Sequence, residues 1–218
     1  MTKDKDMDHR QAIIDACSWM NSTGLNQGTA GNISVRCGTD MIITPSGVPY
    51  DALTPDMMCR VPLDAEPDRT GKYTASSEWQ FHQSILNAYP EQSAVVHAHP
   101  THATALAVQG RRMPAFHYMV AAFGGIDVPL VDYALFGSAE LAEMATNALS
   151  ERNACLLQNH GAIVTGDTLA RALWRMEELE SLSRIYLLAL STGTPKILSD
   201  EQMQEVLVAF ENYGPKDL

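Results

Sequence analysis

The segment Val95-Val96-His97-Ala98-His99-Pro100 constrains this chain more than any other. It reads as a strand over Ala94–His99, and residues two apart on a strand face the same side. His97 and His99 therefore project together, and two neutral imidazoles set this way are half of a metal site. A third histidine follows in Gln158-Asn159-His160-Gly161, on the turn between two apolar strands, Ala154–Gln158 and Ala162–Thr165. Three histidines with an open position describe a catalytic zinc site better than a structural one. Spacing alone does not decide which histidines meet, because many His-x-His strands bind nothing, and His82 and His102 are also at hand.

The rest of the chain supplies a scaffold for that strand. Ile13, Ile14, Cys17 and Met20 recur at helical spacing and predict a helix over 10–23, with Gly24 as its stop. The loop Gly28-Thr29-Ala30-Gly31-Asn32 precedes two strands, Ile33–Cys37 and Met41–Thr44, joined by a Gly-Thr-Asp turn. Thr54-Pro55-Asp56 predicts the start of a short helix. Residues 64–76 are polar and read as a loop, and a helix follows over Ser77–Ala88, stopped before Pro90. Further helices are predicted over 101–108, 116–123, 139–150 and 168–191, with a strand over Val128–Tyr133. Ser199-Asp200-Glu201-Gln202 has the capping-box pattern and opens a last helix to about Glu211. No repeat, low-complexity tract or composition shift marks a linker. The expected fold class is α/β, with residues 1–218 forming a single domain built on a mostly antiparallel central sheet covered by helices.

Composition narrows the partners. The formal net charge is −11, from fifteen Lys and Arg against twenty-six Asp and Glu, which argues against nucleic acid or an anionic membrane. No run of eighteen apolar residues predicts a membrane span. The segment MTKDKDMDHR is charged throughout and lacks the apolar core of a secretory signal. Cys17, Cys37, Cys59 and Cys155 form no CxxC pair, so a reducing cytoplasm is the expected setting. An acidic chain that binds a phosphorylated small molecule needs a local anion site of backbone N–H groups and hydroxyls.

Ser76-Ser77-Glu78-Trp79 adds a carboxylate. By itself Ser-Ser-Glu at a helix start is ordinary capping chemistry. Glu78 becomes a general base only if it faces the metal.

Five motifs then occur in order. They are Gly24-Leu25-Asn26-Gln27-Gly28-Thr29-Ala30-Gly31-Asn32-Ile33-Ser34, Ile43-Thr44-Pro45-Ser46-Gly47, Ser76-Ser77-Glu78-Trp79, His97-Ala98-His99 and Asn159-His160-Gly161. Together they resemble the class II aldolase/adducin family over about residues 10–213. The resemblance implies that His97, His99 and His160 hold zinc, one ion per subunit. Glu78 is implied as the catalytic acid/base and as a fourth ligand in the absence of substrate. It implies a phosphate pocket of Thr29, Gly31, Asn32, Ser46, Gly47, Ser76 and Ser77. Tyr118 matches a tyrosine that reaches a neighbouring subunit's site and exchanges a proton with the aldehyde oxygen. Phe136 and Tyr213 match residues bordering an aldehyde pocket. Similar proteins are fourfold-symmetric homotetramers with sites at subunit interfaces. Ala98 departs from the Asn that relatives tend to carry between the paired histidines, and Pro100-Thr101 also differs.

The implied reaction is cleavage of a ketose 1-phosphate to dihydroxyacetone phosphate and an aldehyde through a metal-stabilised enediolate. L-Fuculose 1-phosphate and a 5-deoxy- or methylthio-pentulose 1-phosphate are the implied substrates. The competing device is a lysine Schiff base. The chain has five lysines, Lys3, Lys5, Lys72, Lys196 and Lys216, all in terminal or polar loop-like segments, which counts against it. Three imidazoles do not select strictly among divalent ions, so cobalt and manganese stay open beside zinc. A methylthioribulose-1-phosphate dehydratase or sugar-phosphate 4-epimerase would share the same histidines. A non-catalytic adducin-like module would have no use for them.

Overall fold

The computed structural model describes residues 3–210. Helix α1 (Lys3–Thr23) leads into strands β1 (Asn32–Cys37) and β2 (Asp40–Ile43), then β3 (Cys59–Pro62). Helix α2 (Trp79–Ala88), strand β4 (Ala94–Ala98) and helix α3 (Thr101–Val108) follow. The second half runs β5 (Leu130–Val131), α4 (Ala139–Ala148), β6 (Ala154–Leu157), β7 (Gly161–Gly166), α5 (Leu169–Thr192) and α6 (Asp200–Phe210). The strands form one seven-stranded sheet in the order β3-β2-β1-β4-β7-β6-β5. Every neighbouring pair is antiparallel except β5 with β6. The expected α/β class with a mostly antiparallel sheet is what the chain adopts.

Period-two alternation explains why this sheet needs helices on both faces. On β4, Ala94, Val96 and Ala98 join a core cluster with Ile13, Cys17 and Met20 of α1 and Met176 and Leu179 of α5. Val95 faces the other way, into a second cluster with Phe81 and Ile85 of α2 and Leu141 and Ala145 of α4. His97 shares the Val95 face by the same alternation and is fully buried. Burying side chains such as Phe81 and Ile85 contributes about 1.5–3 kcal/mol each, and it locks α2 over the strand that carries the histidines.

Several boundaries differ from the sequence expectation, each for a physical reason. Helix α1 begins at Lys3 rather than at residue 10. Its first turns lack an apolar stripe but are tied down electrostatically: Arg10 pairs with Asp6 at 2.5 Å and donates to the carbonyls of Pro55 and Met58. Strand β3 went unassigned because it is a four-residue edge strand ending in Pro62, a composition that carries little strand signal. The strand expected over Val128–Tyr133 shrinks to Leu130–Val131, with Val128 bridging Met113 instead. The 116–123 segment is a 3-10 helix over Tyr118–Phe123. The capping box at Ser199 forms as its pattern predicts, Ser199 Oγ accepting from the Gln202 N–H and Gln202 Oε1 accepting from the Ser199 N–H. Among the described residues, no helix is long and apolar enough to cross a membrane.

Candidate functional site

Strand pairing assembles the histidines. In the register of β4 and β7, His97 stands opposite Ile163 and Ala98 opposite Ala162, which brings the turn before β7 beside the end of β4. His160 sits on that turn, after Asn159, whose φ of 55° is the left-handed conformation that Asn tolerates better than most residues. Gly161 lets the two strands close: a β-carbon there would stand 2.5 Å from the Ala98 carbonyl oxygen and 2.6 Å from Cδ2 of His99. The ligand atoms of His97, His99 and His160 all lie within 4.8 Å of one another. Nε2 of His97 is 3.0 Å from Nε2 of His99. The three rings stand steeply to one another, at interplanar angles of 74°, 68° and 72°, with centroids 4.7–5.0 Å apart.

The electrostatics favour a cation within this cluster. Nδ1 of His97 donates to the Ala162 carbonyl at 3.0 Å, which leaves its Nε2 lone pair aimed into the cluster. Burial pushes the His97 imidazolium down to about 3, helped by neighbouring His99. Burial, with His97 adding to it, takes His160 to about 4, and burial also lowers His99. All three are therefore neutral near pH 7, which is the form that binds a metal.

Glu78 supplies the negative charge. It occupies the N-cap position of α2, yet its side chain makes no capping bond. The carboxylate instead turns inward: Oε2 accepts from Asn32 Nδ2 at 2.8 Å and lies 3.3 Å from His97 Nε2. Oε1 lies 3.3 Å from His160 Nε2, is buried and has no hydrogen-bond partner. An orphaned buried carboxylate oxygen beside three converging imidazole nitrogens fits a divalent cation, which would satisfy all four groups together.

A cavity of about 390 Å³ opens from this cluster. His99, His160 and Glu78 form one part of its wall, and Thr29, Gly31, Asn32, Ser46, Gly47, Ser76 and Ser77 form another. Two bonds join the loops that carry the hydroxyls: the Ser46 N–H donates to the Thr74 carbonyl at 2.9 Å and the Ser76 N–H to the Thr44 carbonyl at 3.0 Å. Gly31 has a φ of +76°, and a β-carbon there would stand 2.7 Å from the His97 carbonyl oxygen. Only glycine lets this loop close on the strand that carries His97 without strain. Among the described residues, no lysine or arginine lines the cavity, so an anion here would meet hydroxyls and amides.

Phe136 also borders the cavity. Tyr118 does not: it lies outside this chain's cavity, 52% exposed and stacked on His117. Tyr213 falls outside the described residues. His82 and His102 do not join the cluster. His82 bonds to Asn32 and Ser34, and His102 pairs with Glu180. The cavity also gains Tyr133 and Asn159, which sequence reasoning did not single out as site residues. Asn159 could have been flagged from its place before His160-Gly161 in a turn. Asn26 is another omission: its Oδ1 accepts from the His99 N–H at 3.3 Å and its Nδ2 donates to the Ala30 carbonyl, tying the glycine loop to the segment that carries the paired histidines.

Comparison with known proteins places these features in context. A family model described as the class II aldolase and adducin N-terminal domain matches residues 11–187. The L-fuculose phosphate aldolase of Escherichia coli K12 is 45% identical over 203 residues, 93% of this chain and 94% of that protein. A 5-methylthioribulose-1-phosphate/5-deoxyribulose-1-phosphate aldolase of Rhodospirillum rubrum is 45% identical over 205 residues, covering 94% of this chain and 92% of its own length. Among solved structures, an L-fuculose 1-phosphate aldolase superposes with a TM-score of 0.89 at 35% identity, over 94% of this chain and 96% of that one.

Proposed function

The chain belongs to the class II aldolase and adducin family, and from that premise we propose that it cleaves a ketose 1-phosphate to dihydroxyacetone phosphate and an aldehyde. One observation carries the reading. Three neutral imidazoles and an unpartnered carboxylate oxygen converge at the edge of a cavity that is also lined by the hydroxyls of Thr29, Ser46, Ser76 and Ser77.

His97, His99 and His160 would hold the ion, with Glu78 completing its shell in the substrate-free protein. A divalent ion at that point, zinc in our reading with cobalt or manganese as substitutes, would supply the positive charge that draws off the electrons of the breaking C3–C4 bond. The substrate phosphate would lie against Thr29, Gly31, Asn32, Ser46, Gly47, Ser76 and Ser77, close to the start of α2, whose dipole favours an anion. That arrangement reconciles a net charge of −11 with a phosphorylated substrate.

Glu78 then has the proton work. After cleavage it would deliver a proton to C3, and in the synthetic direction it would remove that proton. Its buried position beside the cavity supports the assignment. Tyr118, contributed by a neighbouring copy in a homotetramer, would exchange a proton with the oxygen at C4, which becomes the aldehyde oxygen. Its exposure on this chain supports a role at another copy's site. Phe136 and Tyr213 would border the aldehyde.

The two kinds of aldolase are equally similar to this chain at 45%. The test is therefore a panel that includes L-fuculose 1-phosphate, 5-deoxyribulose 1-phosphate and 5-methylthioribulose 1-phosphate, scored for dihydroxyacetone phosphate release. Release from at least one supports the reading. Loss of water without carbon–carbon cleavage, or inversion at C4, would replace it with a dehydratase or an epimerase.

A further inference from the structure

Behind Glu78 runs a buried line of polar side chains. Ser34 Oγ is 2.7 Å from Nδ1 of His82, Nε2 of His82 is 2.5 Å from Oδ1 of Asn32, and Nδ2 of Asn32 is 2.8 Å from Oε2 of Glu78. Ser34 and His82 are fully buried, and Asn32 is 4% exposed. Alternation on β1 puts Asn32 and Ser34 on the face under α2, where one imidazole spans both. Phe81 stacks on the His82 ring at 4.6 Å between centroids and meets His97 edge-on at 5.5 Å, so His82 lies beyond the metal cluster.

The direction of every hydrogen bond follows from donor and acceptor chemistry. A carboxylate only accepts, so Asn32 presents its NH₂ to Glu78 and its carbonyl oxygen to His82. That oxygen also only accepts, so Nε2 of His82 carries the proton and Nδ1 accepts from the Ser34 hydroxyl. Burial holds His82 neutral by pushing its pKa well below the usual imidazole value. The chain is thus polarised one way, from Ser34 to Glu78. It reaches the carboxylate through Oε2, while Oε1 has no hydrogen bond to fix it. Buried polar groups of this kind cost more than an apolar filling unless every member is satisfied, and when satisfied they select one geometry.

We propose that His82 is a positioning residue, which through Asn32 sets the rotation of the Glu78 carboxylate against the histidine cluster and toward C3 of the substrate. Ser34 serves it by donating to Nδ1, which satisfies the tautomer that the Asn32 carbonyl requires. This rests on the reading that Glu78 exchanges a proton with C3. Asn32 has a second N–H, so it both lines the cavity and holds Glu78.

The test compares His82→Leu with His82→Gln, whose amide can return a donor to Asn32. Four quantities are read: kcat, KM, bound metal, and solvent-deuterium exchange at C3 of dihydroxyacetone phosphate without aldehyde. Positioning predicts that His82→Leu keeps its metal and its KM. It lowers kcat and the exchange rate together by roughly 10- to 100-fold, the scale of a misplaced catalytic group. His82→Gln recovers most of both. If His82→Leu does not fold, Ser34→Ala takes its place, with lowered exchange at unchanged KM expected. The inference is overturned if exchange stays within about twofold of wild type, if the loss appears in KM or in metal content, or if Gln does no better than Leu. A wild type that releases no dihydroxyacetone phosphate and exchanges no C3 hydrogen would remove the aldolase reading itself. A fully active wild type matched by His82→Leu would remove this inference alone.

Discussion

Oε1 of Glu78 lies 3.3 Å from Nε2 of His160, buried and without a hydrogen-bond partner. The pair is the point where the histidine cluster meets the carboxylate we propose as the proton-transfer group. Glu78→Gln keeps the shape of the side chain and removes its ability to take a proton. We expect metal content to persist, since the three imidazoles remain, while turnover falls by about 10²–10⁴-fold. Elemental analysis and a kcat measurement on the same preparation check both halves.

His160→Ala and His102→Ala should separate a ligand from a structural histidine. His160 belongs to the cluster, and its loss should weaken metal binding by more than about 100-fold and abolish activity with it. His102 pairs at 2.6 Å with Glu180, whose carboxylate also accepts from the backbone N–H groups of His102 and Ala103 at the start of α3. Its replacement should cost about 1 kcal/mol of stability and leave metal content alone. Metal titration and urea denaturation of the two variants distinguish these outcomes.

Much of this site was legible from local pattern and the rest was not, for reasons that differ by residue. His97 and His99 sharing a face follows from the period of a strand. The arrival of His160 depends on the register of β4 against β7, a pairing across more than sixty residues that no local pattern records. Glu78 was ambiguous because Ser-Ser-Glu is a good cap. It makes no cap because Asn32, 46 residues away, takes its Oε2. His82 looked like one more helical histidine until β1 supplied Asn32 and Ser34 on one face. The first turns of α1 and the edge strand β3 escaped detection because ion pairs and sheet closure hold them in place of apolar periodicity.

Gly161→Ala tests how tightly the histidines depend on backbone closure. The added β-carbon would press on the Ala98 carbonyl and the His99 ring. The strands must part or His99 must move, so we expect about 1–3 kcal/mol of destabilisation together with weaker metal binding. Denaturation curves with and without added zinc would show a smaller stabilisation by zinc than in wild type.

Metal-free protein should weaken in acid. His97 is lowered from the usual 6.5 to about 3 and His160 to about 4, chiefly by burial. Below 6.5 the unfolded chain takes up protons that these buried rings refuse, so unfolding becomes easier as pH falls from 6.5 toward 4. Above 6.5 neither ring contributes a slope. Each contributes up to about 1.4 kcal/mol per pH unit inside that window. Urea midpoints of chelator-treated protein from pH 7.5 to 4.5 check the sign.

The most direct test of the whole account is removal and return of the ion. Purified protein is assayed for dihydroxyacetone phosphate release before chelation, after chelation and after zinc is restored, with metal content measured at each stage. The account predicts close to one divalent ion per chain at the outset, loss of activity in step with loss of metal, and recovery on adding zinc. A chelated, metal-free preparation that cleaves the same ketose 1-phosphate at the original rate would contradict it.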